Sequence, residues 1–148
     1  MFDSRDALGR IGEKIIANIF SQHGAEITES IDPYDSVKDM VIDGETVEVK
    51  TQVPFIREKS FTIKKNQLRK CRNVDRLFFV SVPAPRHTTK WDGLVFSVNP
   101  KTFITREHTT NDGRTMTLIP IEQEAVRMIH EVDDTTLSNL RRYTTSQY

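Results

Sequence analysis

Asp39, Glu48, Lys50 and Gln52 stand close together in a chain of 148 residues. Two carboxylates and an amine of this kind can hold a divalent cation and act on the water and phosphate it binds, provided the chain brings them onto one surface. The stretch from 38 to 52 does so by its own pattern. Two short runs rich in β-branched residues, 40–42 and 46–49, flank Asp43-Gly44, a dipeptide suited to a two-residue type I′ turn because both positions need φ > 0. The expected hairpin pairs Ile42 with Glu45, so Val41 meets Thr46, Met40 meets Val47, and Asp39 lies opposite Glu48. Alternation then puts Lys50 and Gln52 on the Glu48 face and turns Val47 and Val49 into a core. Directly opposed carboxylates repel unless a cation lies between them.

Mg²⁺ fits such a place, since it takes one or two protein carboxylates and keeps positions for water and phosphate. Mn²⁺ is the alternative ion. The Val49 carbonyl offers a third ligand, and Lys50 would stand beside the bound water, orienting it and stabilising charge that grows on a phosphate. Asp39 followed by Glu48-Val49-Lys50 on the next strand resembles the active-site signature of the PD-(D/E)xK nuclease superfamily, which includes restriction enzymes, Holliday-junction resolvases and some homing endonucleases. The family's usual proline before the aspartate is Lys38 here. The plain alternative is a solvent-facing hairpin on which Lys50 only neutralises Glu48.

The elements that must position these residues are legible in turn. Leu8, Ile11, Ile15, Ile16, Ile19 and Phe20 recur at helical spacing after a cap at Asp3 or Ser4, and His23-Gly24 ends the helix. Gly9 and Gly12 each cost about 1 kcal/mol relative to alanine inside a helix, so a close approach is expected there. Glu13 follows at once. In resolvase-like and restriction-like members of the superfamily a glutamate on the first helix leans toward the metal, and the resemblance gives Glu13 that role. Residues 25–31 alternate as a strand, and Asp32-Pro33-Tyr34-Asp35 turns into the hairpin, with Asp35 a second candidate ligand ranked below Asp39.

Residues 53–59 form a loop beside the site, and 61–63 resume extended structure. A short helix over 64–71 has Leu68 and Cys71 facing inward, while Lys64, Lys65, Arg69 and Lys70, with Gln67 among them, are placed to contact DNA phosphates. The apolar run within 76–82 reads as a central strand, and 92–98 as the next, with Trp91 in the core or at the sheet edge. This order resembles the superfamily's αβββαβ core. The expectation is an α/β, restriction-endonuclease-like core with a mixed central sheet flanked by helices, in one domain spanning 1–148. The core covers 4–99. The elaboration over 100–148 adds a hairpin, strands 102–106 and 115–119 around Asn111-Asp112-Gly113, then helices over 122–131 and 135–143, the second capped by Asp133 or Asp134. That elaboration could bind DNA, build a dimer or cover the sheet. His87 and His108 fall in loops and receive no role.

Net charge is zero, from 21 basic and 21 acidic residues, so no global field draws the chain to nucleic acid. The distribution is uneven: 57–76 is basic, while acidic residues gather in 26–48 and 122–134. That asymmetry suits carboxylates that hold a metal beside a surface that holds a phosphate backbone. A single cysteine, no signal-peptide pattern and no apolar run long enough for a bilayer lead to the expectation of an intracellular, cytoplasmic protein with no membrane partner. The functional expectation is an Mg²⁺-dependent endonuclease of double-stranded or branched DNA, site-specific in the homing or restriction manner or else a junction resolvase. Two strands need two sites, so a homodimer or homotetramer is expected. A non-catalytic DNA-binding module and a structural subunit are the readings from other classes.

Overall fold

A computed structural model of the chain describes residues 4–29 and 40–147. Asp43 and Gly44 both take positive φ, 49° and 81°, the pair a type I′ turn requires, and they join β2 (Met40–Ile42) to β3 (Glu45–Gln52). The register is the expected one, Met40 with Val47, Val41 with Thr46 and Ile42 with Glu45. Asp43 also fastens the preceding strand. Its Oδ1 accepts from Glu26 N at 2.8 Å and its own N–H donates to Glu26 O at 2.9 Å, which sets β1 (Ile27–Glu29) antiparallel to β2. Asp35 and Asp39 lie outside the described residues, and with them the expected opposition of Asp39 to Glu48.

After β3 the chain passes through β4 (Ser60–Ile63) and α2 (Lys65–Asn73) and returns as β5 (Arg76–Ser81), parallel to β3. A parallel return needs a crossover of this kind. β5 is almost continuously apolar because both its faces are covered. β6 (Leu94–Val98) and β9 (Val126–Glu131) extend the sheet antiparallel, giving the order β1-β2-β3-β5-β6-β9. β4 leaves this sheet and joins β8 (Thr115–Pro120) and β7 (Arg106–Thr109) in a second, antiparallel one. The fold is α/β, a mixed central sheet with three helices among the described residues.

The two faces of the main sheet bury separate cores. α1 (Ser4–Gln22) and α3 (Asp134–Gln147) cover one face over Ile16, Val47, Val49, Phe78, Val80 and Leu140. α2 and the second sheet cover the other, over Phe61, Cys71, Leu77, Phe79 and Ile119. Phe61 stacks on Phe79 with centroids 4.4 Å apart. Each fully buried side chain of this size contributes roughly 1.5–3 kcal/mol. Trp91 is buried, as a core residue. No helix among the described residues is long and apolar enough to cross a membrane.

Past Pro100 the structure corrects several expectations. The hairpin about Asn111-Asp112-Gly113 is present, but its first strand is Arg106–Thr109 rather than 102–106. Residues 102 and 103 instead fold back on Asn99, whose carbonyl accepts from Thr102 N at 3.3 Å and Phe103 N at 3.1 Å, and Phe103 is buried. His108 consequently lies on a strand and not in a loop, its ring edge-on to Phe55. The helix expected over 122–131 is absent. Val126–Glu131 is β9, the sheet's last strand, and its register slips at Ile129, which opposes no residue of β6. Through that bulge the covered positions are Val126, Ile129 and Val132, a spacing of three that imitates a helical face while the open edge of β6 takes the segment as a strand. α3 does form. Asp133 is its cap, accepting from Thr136 N at 2.8 Å, and it continues beyond Tyr143 to Gln147. Of the roles open to 100–148, covering and completing the sheet is the one these contacts describe.

Candidate active site

Parallel pairing with β5 sets Glu48 beside Leu77, Lys50 beside Phe79 and Gln52 beside Ser81. Glu48, Lys50 and Gln52 therefore share the face covered by α2, and Val47, Val49 and Thr51 share the face covered by α1, as the alternation requires. Leu77 and Phe79 form an apolar wall along the polar row. Against that wall Glu48 is only 2 % exposed, and an unpaired carboxylate in such a place would cost several kcal/mol.

Two ammonium groups answer it. Lys50 Nζ lies 3.2 Å from Glu48 Oε1 and Lys70 Nζ lies 3.0 Å from Oε2. Lys50 also donates to Gln67 Oε1 at 3.2 Å. The Lys70 contact is an ion pair by distance, while Oε2 itself accepts no well-directed hydrogen bond. Gln67 and Lys70 are three residues apart on α2, so one helix face supplies both groups that meet the strand. The lysine side chains keep 25 % and 19 % of their surface in solvent.

Gln52 has a different engagement. Its Oε1 accepts from Thr62 N at 2.7 Å and its Nε2 donates to Thr62 O at 3.0 Å, so one side-chain amide satisfies both main-chain groups of a β4 residue. Of the four cations expected to meet phosphates, Lys64, Lys65 and Arg69 are exposed around the start and outer face of α2. Lys70 turns inward to Glu48.

Glu13 lies on α1 and is partly buried. The close approach expected near it occurs at Gly12, where an added Cβ would lie 1.8 Å from Thr51 Oγ1, and not at Gly9, where a Cβ would meet nothing within 4 Å. α1 thus rests on the Thr51 face, opposite the face that carries Glu48 and Lys50, and Glu13 is not among the described contacts of Glu48.

The residues in place suit a hard cation in part. Asp75 N donates to Thr46 O at 3.1 Å and Val82 N to Gln52 O at 2.8 Å, so even-numbered carbonyls of β3 point toward β5. Those of Val47, Val49 and Thr51 then point the other way. The Val49 carbonyl accordingly faces the side on which described β2 ends at Met40, opposite Val47. A buried carboxylate, one oxygen of it without a hydrogen bond, and a carbonyl turned to the β2 side are oxygen donors of the type Mg²⁺ prefers. Among the described residues no group of three or more His, Cys, Asp or Glu side chains comes together to hold a metal, and Asp39 lies outside them. A groove of about 1230 Å³ lies elsewhere, against Phe20, Arg76, Phe78 and Arg127 near the N-terminal end of β5.

Sequence reasoning missed the partnership of Lys70 with Glu48. Its signal was the three-residue spacing from Gln67 beside the inward-facing Leu68 and Cys71. No family model, curated protein or solved structure matches the chain.

Proposed function

We propose that this chain is a metal-dependent DNA endonuclease with a restriction-endonuclease-like core, cutting at specific sites in the homing or restriction manner, with junction resolution as the variant. The observation that carries the reading is Glu48, a carboxylate buried on an interior strand with Lys50 two residues on and on the same face. The element order supports it too: α1, three antiparallel strands β1-β2-β3, then α2 crossing to a parallel β5.

Glu48, Asp39 and the Val49 carbonyl would hold Mg²⁺, which supplies an activated water and a Lewis acid at the phosphate. Lys50 brings a positive charge to the same phosphate, and Gln67 sets its direction. Lys64, Lys65 and Arg69 offer exposed charge to the flanking backbone. Cleavage of both strands calls for two copies of the site, hence a symmetric oligomer.

A second reading rests on the same pair of contacts. Glu48 neutralised by two lysines is also a structural clamp that holds α2 on β3, in a module without catalysis. Incubation of supercoiled plasmid, genomic DNA and a synthetic four-way junction with Mg²⁺ separates the two readings. The nuclease cuts at least one of them, stops with EDTA, and loses roughly 100-fold or more in rate in Glu48→Gln and in Lys50→Met, as when a group that stabilises transition-state charge is removed. Metal-independent cleavage, or full activity in Glu48→Gln, would overturn the nuclease reading.

A further inference from the structure

The groove against Phe20, Arg76, Phe78 and Arg127 lies beside the last turns of α1, on the opposite side of the main sheet from Glu48 and Lys50. Its floor is apolar, with Ile129 next to the two phenylalanines. Four Asp, Glu and Arg side chains line it, and two of these are engaged: Arg76 lies 2.8 Å from Glu45 and over the Phe20 ring, and Asp75 accepts from Thr46 N at 2.9 Å. The other two, Glu124 and Arg127, are exposed, and neither side chain has a hydrogen bond or ion pair among the described residues. One uncommitted anion and one uncommitted cation thus stand on the same rim. Ile104 stands there with them, 61 % exposed, the most exposed large apolar side chain among the described residues. Its backbone is fixed in place. Gln123 Oε1 accepts from Ile104 N at 2.8 Å, and Gln123 Nε2 donates to Ile104 O at 3.1 Å and to Pro120 O at 2.8 Å. Because Ile104 borders the apolar floor, the two form one patch and not a lone exposed side chain.

We propose that this groove is where two copies of the chain pair about a two-fold axis, Ile104 of each seated in the groove of the other and Arg127 of each set against the partner's Glu124. A surface with an apolar centre and one unpaired charge of each sign complements itself when turned by half a rotation, since every contact then occurs twice. A small anion would answer Arg127 and leave Glu124 and Ile104 unmatched. A nucleic acid would meet Glu124 with like charge. Zero net charge puts no long-range repulsion between copies. The proposal stands on this surface alone and goes beyond the nuclease reading, to which it would supply the second site that cutting two strands calls for. It also leaves the charged row of each copy uncovered, on the far side of the sheet.

Sedimentation equilibrium of the full chain over a wide range of concentration reads the pairing, with circular dichroism to show that each variant is folded. The native chain is expected to form a dimer. Arg127→Glu and Glu124→Arg each set like charges face to face twice and should weaken it roughly tenfold or more. Ile104→Asp, which would bury a charge in the apolar groove, should weaken it as much. All three positions are exposed in the single chain, so its fold is expected to stand. Mixing Arg127→Glu with Glu124→Arg in equal amounts puts opposite charges back in register between the two chains, and the mixture should regain the dimer that each variant alone has lost. A native chain that stays monomeric, a dimer indifferent to the three variants, or a mixture no more associated than its parts overturns the proposal. Plasmid cleavage by a chain that stays monomeric would strike the pairing and spare the nuclease, and a dimer that passes these tests but cuts nothing would do the reverse.

Discussion

On one face of β3, Thr51 leaves α1 no room for a side chain at Gly12. On the other, Glu48 is met by two ammonium groups that reach it on long stems. The first face is held by shape, through a near approach of backbone that admits nothing else. The second is held by charge, and a charge can be exchanged for another without disturbing the strand. One strand thus carries a face fixed by backbone fit and a face fixed by ion pairs.

The comparison breaks first at the charged face. Lys50→Met combined with Lys70→Met leaves Glu48 buried without a cation and is expected to cost about 3–5 kcal/mol in urea unfolding. Glu48→Gln removes the buried charge itself, and its cost is nearer 1–2 kcal/mol. Equal losses in the two variants would mean that the face is held by packing after all.

Next comes the face held by shape. Gly12→Ala forces its Cβ onto Thr51 and should lower stability by about 1–3 kcal/mol, whereas Gly9→Ala, with open space around it, should raise stability by about 0.5–1 kcal/mol. The same melting experiment reads both, and a gain at Gly12 would refute the close approach.

The smallest effect belongs to the helix behind that face. The Thr136 backbone N–H, with its side chain next, holds the Asp133 carboxyl below the usual range. A depressed carboxylate contributes stability above its unfolded pKa and loses it as pH falls through the folded one. Asp133→Ala should therefore melt slightly below the native chain near neutrality and converge with it in acid, below roughly pH 4. A gap between the two chains that persists in acid would exclude the cap as its source.

The hairpin was legible from sequence because Asp43-Gly44 permits one turn and the turn permits one register. β5 was legible because an apolar run such as Leu77 to Val80 has no place but the interior. α1 followed from its repeat, and Gly12 announced a contact that Gly9, with the same cost, does not make. β9 was hidden by its own bulge, which gave Val126, Ile129 and Val132 a helical spacing, and by the demand of β6 for a partner, which no local pattern carries. β4 was read as extended, yet four extended residues say nothing about which sheet they join. Lys70 was hidden among neighbours of the same type on one short helix, where only the distance to Gln67 set it apart.

Gln52 ties these regions mechanically. Its amide does for Thr62, at a single point, what a whole strand would do along its length. This amide adds a directed polar tie, two residues along β3 from Lys50, to the apolar packing of Phe61 on Phe79 that joins the two sheets. β4 runs directly into α2, so the mooring also fixes where the helix begins and where Gln67 and Lys70 come down. Turning that amide would remove both hydrogen bonds to Thr62 while the strand ladders and the packing of Phe61 on Phe79 stayed whole.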